Sequence, residues 1–427
     1  MEVSGIGKTQ GRLTEDEIAQ TINQAADTLN AKGKKVLAII PDYTRTCPLP
    51  KVMRNWHKAL HGVASRFDFM IALGTHPAMT EEQIDKLLGV EPGRREEVFP
   101  GTNVYNHAWN DPNALKQVGV LTSDRINEIS GGLFAMEVPV TINKRVLEYD
   151  IVLIVGPVFP HEVVGFSGGT KYLFPGVCGP DMTNFFHWLG AVITNPRIIG
   201  TKNTPVRAVI EAAAEMLPLP KFALTMVVKG EDLAGLYFGE VRQSWAKAAD
   251  LSDKLHIVYV DKPFNSILSQ APPMYDELWT GGKCMYKMES VVADGGELII
   301  YAPHLNVISI THGKVIEQIG YHTRDYFLKQ WDKFKHFPWG VIAHSTHVRG
   351  IGEFIDGVEK PRVKVTLATG ISKEICGRIN MGYRDPASID VSYWKDKEDL
   401  GRLYVPKAGE MLYKLKNPPA WQTFEVA

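Results

Sequence analysis

The sequence lacks the features that would mark an exported, membrane-spanning or nucleic-acid-binding protein. No apolar run reaches the ~18 residues needed to cross a bilayer, and the amino-terminal segment has no basic stretch followed by an apolar one. Its 47 basic and 48 acidic side chains nearly cancel, so no long-range field would attract nucleic acid or anionic membranes. The four cysteines lie far apart and form no CxxC pair, which is typical of reduced thiols. We therefore expect a cytoplasmic globular protein without nucleic-acid or membrane partners.

What the sequence does contain is an alternation of short apolar runs and helical patterns. This alternation indicates an α/β fold with mainly parallel sheets flanked by helices. Buried strands are predicted at residues 36–40, 67–73, 150–155 and 222–228. Helices are predicted after the capping boxes at Thr14 and Thr80, the first ending at Gly33, and over 205–216.

The length of 427 residues favours two domains. A second series of elements begins near Leu255, with strands expected at 255–260, 297–301, 339–343 and 363–368 and a helix over 275–292. We place an amino-terminal domain at 1–254 and a carboxyl-terminal domain at 255–376. The polar tail, 377–427, is expected to pack back on the first domain.

Polar side chains follow the first two predicted strands. Asp42, Thr44 and Arg45 come directly after residues 36–40, and His76 comes after residues 67–73. Ligands of parallel sheets bind beyond the carboxyl ends of strands, where these groups could clamp an anion or move protons. A plain turn with surface charges, and a structural histidine, are the alternatives.

A glycine-rich segment, 156–176, carries the strongest signal. It contains His161 and Lys171, and His187 follows sixteen residues later. Glycines 165, 168 and 169 build a backbone that a ligand could approach closely, and Lys171 could present its amine as a nucleophile or a charge. A zinc hydrolase site is a weak alternative, because histidine pairs at short spacing are absent.

The segment Trp279–Lys283 (WTGGK) lies near the start of the predicted helix at 275–292. A threonine and a lysine near a helix amino terminus suit an anionic group, so Thr280 and Lys283 are candidates for substrate binding. An ordinary surface lysine explains the pattern equally well.

Taken together, these four segments resemble the nickel-dependent lactate racemase family, from Val36 to about Gly296. The most specific part is PHEVVGFSGGTK followed by FFH, where residue types and spacing both agree. The resemblance implies a two-domain fold with the active site in the cleft between the domains. It also implies an isomerase that racemises or epimerises 2-hydroxy acids by hydride transfer.

The resemblance also implies a role for each candidate residue. Lys171 would carry a pyridinium-3,5-bisthiocarboxylic acid mononucleotide, the nickel pincer nucleotide, with nickel also bound by His187. His76 and His161 would form the acid/base pair. Other proteins would have to synthesise this cofactor. The remaining matches are the nucleotide-binding residues Asp42, Tyr43, Thr44 and Arg45, and the substrate-binding residues Thr280, Lys283 and Arg45.

Two departures from the family pattern concern the substrate. Thr280 stands where the family has glutamine, and Gly281–Gly282 replace bulkier residues, which would leave room. The second domain also contains many polar side chains: His304, Asn306, His312, His344, Ser345, Thr346 and His347. We therefore expect a 2-hydroxy acid larger or more hydroxylated than lactate, such as an aldonate epimerised at C2. Alternatively, these histidines lie at the surface or form ordinary core hydrogen bonds.

Two other functions stay open at this point. A nicotinamide-dependent 2-hydroxy-acid dehydrogenase would fit the α/β pattern, although no GxGxxG follows the first buried strand. A nickel or nucleotide carrier would need Lys171 and His187, but has no use for both His76 and His161.

Overall fold

A computed structural model of the chain describes residues 2–424, which form two compact units. The first unit comprises residues up to 159 together with 166–183 and 207–255. The second comprises 160–165, 184–206 and the chain from 256 onward. The last change of unit falls at 255/256, one residue after the predicted boundary at 254/255, and two segments within the predicted first domain belong to the second unit.

The regular elements follow one another along the chain with short connections. The strands are β1 Ser4–Gly7, β2 Lys35–Ile40, β3 Arg66–Ile71, β4 Val104–Asn106, β5 Leu115–Leu121, β6 Val138–Asn143, β7 Ile151–Pro157, β8 Pro160–His161, β9 Gly165–Phe166, β10 Lys221–Lys229, β11 Asp232–Glu240, β12 Ile257–Val260, β13 Phe264–Gln270, β14 Val292–Ala302, β15 Gly352–Ile355, β16 Val358–Pro361, β17 Lys364–Thr369, β18 Gly382–Tyr383, β19 Arg402–Val405 and β20 Leu412–Leu415. The α-helices are α1 Glu15–Leu29, α2 Leu49–Leu60, α3 Glu81–Leu87, α4 Arg95–Val98, α5 Ser123–Ser130, α6 Pro180–Ile193, α7 Asn195–Ile198, α8 Pro205–Glu215, α9 Val241–His256, α10 Leu278–Gly281, α11 Lys283–Tyr286, α12 Gly313–Ile319, α13 Arg324–Leu328, α14 Trp331–Phe334, α15 Trp339–Arg349 and α16 Lys373–Arg378. Short 3₁₀ helices are Pro112–Ala114, Lys144–Glu148, Gly169–Tyr172, Glu289–Val291, Pro386–Ser388, Val391–Tyr393, Glu398–Leu400 and Ala420–Gln422.

The first unit is built on a seven-stranded sheet in the order β1-β11-β10-β7-β2-β3-β4. Strands β10, β7, β2, β3 and β4 run parallel, while β1 and β11 are antiparallel to their neighbours. Residues Val36–Ile40 are fully buried, because helices cover both faces of a parallel sheet. The prediction of an α/β fold with mainly parallel sheets is confirmed, and all four strands predicted for this unit are present.

The second unit contains a five-stranded parallel sheet in the order β18-β17-β14-β13-β19. Strands β18 and β19 come from the tail, and β20 pairs with β12. The tail thus completes the second unit's own sheets, rather than packing on the first domain as expected. In strand β19 of the tail, the buried residues Leu403 and Val405 alternate with partly exposed ones. The strand is so short that this alternation does not predict it within a polar sequence.

Three local predictions differ from the structure. Residues 339–343 begin the helix α15 instead of forming a strand; this helix is buried on all sides, so it lacks the periodicity of a surface helix. The helix expected over 275–292 is divided into α10, α11 and a 3₁₀ turn. Helix α1 ends at Asn30, which takes a left-handed conformation (φ 51°), three residues before Gly33. Within residues 2–424, no helix is both long and apolar enough to cross a membrane.

Candidate active site

Asp42 and His76 meet at the carboxyl edge of the first unit's sheet. They follow β2 and β3, which lie side by side in parallel with Ile40 opposite Ile71. Nδ1 of His76 lies 2.5 Å from Oδ2 of Asp42. Because a carboxylate only accepts hydrogen bonds, Nδ1 carries the proton of the neutral imidazole, and Nε2 keeps its lone pair. His76 is therefore held in the tautomer of a base.

The buried carboxylate of Asp42 is kept ionised by its neighbours. Burial alone would raise its pKa, but the hydrogen bond from His76, the charge that His76 carries when protonated, the charge of Arg45 and the Thr44 hydroxyl hold that pKa well below its usual range. Oδ1 accepts hydrogen bonds from the backbone N–H of Thr44 at 3.1 Å and from its hydroxyl at 2.6 Å. Asp42 is thus an anchored negative charge directed at His76.

Arg45 has hydrogen-bonding capacity to spare beside this pair. Its Nη1 donates to Oγ1 of Thr44 at 2.9 Å and, more weakly, to the Thr44 carbonyl at 3.4 Å. Within the described residues, Nε and Nη2 of Arg45 make no hydrogen bond. The side chain of Tyr43 is about half exposed (52%). The segment therefore offers a guanidinium fork and an aromatic ring, which fit the phosphate and ring of a nucleotide.

Lys171 lies in the 3₁₀ helix Gly169–Tyr172, at the end of a tightly packed glycine turn. Gly168 and Gly169 both have positive φ (79° and 58°). A Cβ on Gly168 would lie 2.7 Å from Cγ2 of Val158, and one on Gly169 would lie 2.9 Å from Cγ of Trp245. Only glycine fits at these two positions, so the turn presents Lys171 from a fixed backbone.

Two side chains that the sequence does not predict to be near this turn, those of Trp245 and Arg207, support it. Trp245 donates its indole N–H to the Ser167 carbonyl at 2.8 Å. The buried guanidinium of Arg207 lies 4.1 Å from the Trp245 ring and donates to the carbonyls of Phe166 and Gly168. Burial lowers the pKa of Arg207 to about 10, so it stays charged at neutral pH. Each lies on a helix far along the chain, where no local pattern indicates the contact.

The glycine turn and the Asp42–His76 pair share one edge of the sheet. The N–H of Gly74, in the turn before His76, donates to the carbonyl of Gly176 at 3.0 Å. The pKa of Tyr172, next to Lys171, is raised by burial and is influenced by the charges of Asp42 and Arg45. The first unit thus brings the predicted nucleotide-binding segment, His76 and Lys171 to the same place.

His161 belongs to the second unit and has a different local partner from His76. The backbone N–H of Val163 donates to Nδ1 of His161 at 3.2 Å, and Oε2 of Glu162 lies 3.3 Å from the same nitrogen. The Glu162 carboxylate would accept a proton from Nδ1, whereas the Val163 N–H donates to the same nitrogen. These contacts therefore do not fix one tautomer of His161, as Asp42 does for His76.

His187 lies on α6 and faces α15 of the same unit. The ring of Phe186 stacks on it with centroids 4.4 Å apart. Asn184 Oδ1 accepts the N–H of Gly340 at 3.0 Å, which ties α6 to the first turn of α15. Burial, and then the charge of His187, lower the pKa of His347 to about 3.

Thr280 and Lys283 lie on the short helices α10 and α11. Thr280 donates its hydroxyl to the Glu277 carbonyl at 3.0 Å, which leaves the oxygen's lone pairs for a ligand. Nζ of Lys283 lies 4.7 Å above the ring of Tyr275. Between these two residues and α15, the ring of Trp279 packs on the imidazoles of His344 (3.9 Å) and His312 (4.6 Å).

The space expected beside Gly282 is filled. A Cβ there would lie 2.7 Å from Cγ2 of Val348 and 3.2 Å from Cε1 of His344, and one on Gly281 would lie 2.9 Å from Cδ1 of Leu305. Gly282 lets α15 approach this backbone, and Gly281 lets Leu305 approach it, so protein side chains occupy the volume beside both glycines. The prediction that these positions leave room for substrate is therefore wrong for Gly282.

The other polar side chains flagged in this unit have local roles. His304 contacts the Tyr275 carbonyl at 3.0 Å, and the hydroxyls of Ser345 and Thr346 donate to backbone carbonyls. Asn306 donates to the His304 carbonyl at 3.2 Å. His312 and His344 adjoin, through Trp279, the segment that carries Thr280 and Lys283. In the described part of the chain, no group of three or more His, Cys, Asp or Glu residues is arranged to hold a metal ion by itself.

Comparison with known proteins finds similarity to lactate racemases. Residues 8–198 match the lactate racemase N-terminal domain. The chain is 25% identical over 281 residues to the lactate racemase of Thermoanaerobacterium thermosaccharolyticum, a match covering 64% of this chain and 61% of that protein. The chain thus spans less than two thirds of that relative.

Solved structures extend the similarity over nearly the whole chain. A crystal structure of a protein from Thermotoga maritima is 34% identical, with a TM-score of 0.86 over 95% of this chain and 99% of that one. The lactate racemase apoprotein of T. thermosaccharolyticum has the same fold, with a TM-score of 0.70 at 19% identity over 96% of this chain and 94% of that one.

The fold and the first sheet's edge define an α/β protein that presents a carboxylate–imidazole pair beside a lysine on a rigid glycine turn. Residues 8–198 of this chain are similar to the lactate racemase N-terminal domain, and the chain shares the fold of the lactate racemase apoprotein.

Proposed function

We propose that this protein is an isomerase that inverts the hydroxyl-bearing C2 of a 2-hydroxy acid. The observation that carries the proposal is the contact of His76 with the buried carboxylate of Asp42 beside the Lys171 turn, in a chain whose residues 8–198 match the lactate racemase N-terminal domain. A binding protein would have no need of an imidazole held as a base by a buried carboxylate.

The residues present fit a nickel pincer nucleotide. Lys171 offers an amine for a covalent thioamide, Arg45 has guanidinium donors for the phosphate, and His187 offers one imidazole ligand to nickel. A single protein ligand would suffice if the nucleotide supplied the other ligands of the nickel. When bound, this group would supply an acceptor for the α-hydrogen with its electron pair, and a donor that returns them to either face of the carbon.

The work of the chain itself is proton transfer and positioning. Nε2 of His76 takes the proton of the substrate hydroxyl, and the carboxylate of Asp42 stabilises the imidazolium that forms. His161 acts on the same oxygen for the opposite enantiomer, so the two histidines exchange the roles of acid and base with the direction of reaction. Lys283, with Arg45, holds the substrate carboxylate so that the reacting carbon stays aligned.

The surroundings of Thr280 support a substrate more hydroxylated than lactate. Burial, and then the neighbouring histidines, lower the pKa of His344 well below its ordinary value, so its imidazole is neutral at neutral pH. A neutral imidazole both donates and accepts hydrogen bonds, and the Thr280 oxygen still accepts. Such groups favour an aldonate whose hydroxyls extend beyond C2.

The first experiment is the intact mass and nickel content of the protein after co-expression with a cofactor-synthesis system. We expect a nucleotide-sized increment and about one nickel per chain in the wild type. Both should disappear in Lys171→Ala and persist in Lys229→Ala, a control lysine exposed at the end of β10. Nickel should be lost, with the nucleotide retained, in His187→Ala.

Two outcomes would contradict the proposed cofactor attachment. If folded wild type carries no increment under these conditions, the pincer chemistry is excluded for this chain, and reversible cofactor binding takes its place. If the increment survives in Lys171→Ala, the attachment site is elsewhere.

The substrate is tested with the loaded protein. Thr280→Gln should shift the ratio of turnover on lactate to turnover on gluconate towards lactate. A ratio that is the same in wild type and variant would reject the proposal of a hydroxylated substrate, while leaving the isomerase proposal intact.

A further inference from the structure

A second cleft lies in the second unit, away from the segments discussed above. It has a volume of about 550 Å³, and its walls include Gly295, Arg349, Arg362, Lys364 and Asn380. It opens at the amino ends of the parallel strands β14, β17 and β18. Thr280 and Lys283 follow the carboxyl end of β13 in the same sheet, so the cleft lies at the opposite edge from the candidate substrate residues.

Arg349, the last residue of α15, has too few partners for a partly buried guanidinium. Of its five N–H donors, only one on Nη1 makes a hydrogen bond, to the Asn380 carbonyl at 2.9 Å. Nε is fully buried and has no partner among the described residues. A ligand in the cleft cannot reach that nitrogen, so the donors left for it are those on Nη1 and Nη2 that make no hydrogen bond within the described residues.

The acidic side chain whose charge acts on Arg349 does not take up these donors. Glu359 influences the charge of Arg349, but its carboxylate is already occupied. Oε1 accepts the N–H of Thr323 at 2.6 Å, and Oε2 accepts from His322 at 2.9 Å and from Asn380 at 3.0 Å.

The rest of the wall is also cationic. Arg362 and Lys364 line the cleft with Arg349, and none of the lining residues, all within the described chain, is acidic. Lys364 is paired with Glu297 at 2.9 Å but is 65% exposed, and Arg362 is paired with the exposed Asp294 at 3.1 Å. Nε of Arg362 is, like that of Arg349, buried without a hydrogen-bond partner. Gly295 and Gly377 leave the floor open, since a Cβ at either would meet nothing within 4 Å.

We propose that this cleft is an anion site, which binds the phosphate or carboxylate group of a small metabolite through the guanidinium of Arg349, with Lys364 at its rim. The planar fork of Arg349 matches two oxygens of either group, and such charge-assisted bonds are the strong ones. The site is separate from the candidate active site and needs no cofactor, so it stands or falls independently of the proposed isomerase function.

Calorimetric titration of the full-length protein with inorganic phosphate and with citrate tests the site, each against potassium chloride at equal ionic strength. The wild type should give saturable binding near one site per chain. Arg349→Gln should weaken it at least about tenfold, and Lys364→Gln roughly two- to threefold, because the exposed lysine is screened. Arg349→Lys should be intermediate, since it keeps the charge and loses the fork.

Two controls locate the site. Arg402→Gln removes an arginine from β19, at the far edge of the same sheet, and should leave the affinity unchanged. Lys229→Gln, at the exposed end of β10 in the first unit, should leave it unchanged too, while Lys283→Gln reports whether the anion binds at the candidate substrate segment instead. Tighter binding of phosphate or of citrate identifies which group the cleft prefers.

The proposal is overturned if a folded wild type binds neither anion, or if chloride produces the same heats. It is also overturned if folded Arg349→Gln binds the anions as tightly as the wild type does. If Arg349→Gln does not fold, wild-type affinity in both Arg349→Lys and Lys364→Gln overturns the proposal. Loss of binding in Lys283→Gln alone would assign the anion to the substrate segment instead.

Discussion

In the first unit, Asp42 and His76 lie on loops that follow two adjacent buried strands, and a hydrogen bond to an ionised carboxylate fixes them. In the second unit, Trp279, Thr280 and Lys283 lie on helices of four residues each, packed by ring stacking against α15. Parallel strands align their ends whatever the loops contain, whereas short helices take their position from the side chains around them. The first region should therefore respond to changes of charge, and the second to changes of volume.

Replacing Asp42 by asparagine should have the largest effect. The amide would no longer hold His76 in the tautomer with Nε2 unprotonated, nor stabilise its imidazolium. We expect turnover by the loaded protein to fall roughly 10²- to 10⁴-fold. Turnover as a function of pH, together with the mass of the loaded protein, makes the measurement.

Asp68 provides the matched control, since it is also a buried acid in the first unit. Its carboxylate accepts from the Tyr149 hydroxyl at 2.5 Å and from the Asn103 N–H at 2.8 Å, away from the site. Asp68→Asn should lower the free energy of unfolding by about 1–3 kcal/mol and leave turnover per folded molecule unchanged. If Asp42→Asn instead loses the cofactor mass, Asp42 binds the nucleotide, as the resemblance implied, and the positioning role is rejected.

The same contrast explains how much the sequence could predict. The buried strand 36–40, the strand 67–73 and the glycine segment are local patterns, so the meeting of Asp42, His76 and Lys171 at one edge followed from parallel-sheet geometry. The contacts of Arg207 and Trp245 with that segment join distant parts of the chain and carry no local signal. The apolar pattern of residues 339–343 predicts a strand, but these residues begin the helix α15. Burial on every side removes the periodicity that marks a surface helix.

Adding one methyl group at Gly282 tests whether the second region depends on volume. The Cβ of Gly282→Ala would lie 2.7 Å from Val348 and 3.2 Å from His344, so α15 must shift. We expect the free energy of unfolding to fall by about 1–3 kcal/mol in denaturant titrations. Gly313→Ala, where a Cβ meets nothing within 4 Å, is the control and should be neutral or stabilising by about 0.5–1 kcal/mol. Equal behaviour of the two variants would mean that α10, α11 and α15 pack loosely.

Two buried histidines, one in each unit, extend the comparison to hydrogen bonding. His107 in the first unit contacts the Cys178 carbonyl at 2.9 Å through Nε2, and its Nδ1 accepts from Asn143 at 3.2 Å. His347 in the second unit has an Nε2 with no partner among the described residues. His107→Leu should therefore destabilise by about 1–3 kcal/mol, since it strands two buried polar groups, whereas His347→Leu should cost less than about 1 kcal/mol. A larger cost for His347→Leu would reveal a partner for Nε2 in the working protein.

The smallest expected effect is a change in how stability depends on pH. Burial lowers the pKa of His107 to about 4, although its bond to the Cys178 carbonyl opposes the shift. The unfolded chain, with a histidine pKa near ~6.5, therefore binds a proton that the folded chain excludes between about pH 4 and 6.5. The contribution of His107 to the free energy of unfolding therefore falls as the pH is lowered through that window, by at most about 1.4 kcal/mol per pH unit. Leucine at this position cannot titrate, so the stability difference between wild type and His107→Leu should narrow steadily from pH 7 to pH 4. If the free energies of unfolding of wild type and His107→Leu instead change with pH in the same way over that range, His107 is protonated in the folded protein. The carbonyl of Cys178 would then compensate for its burial.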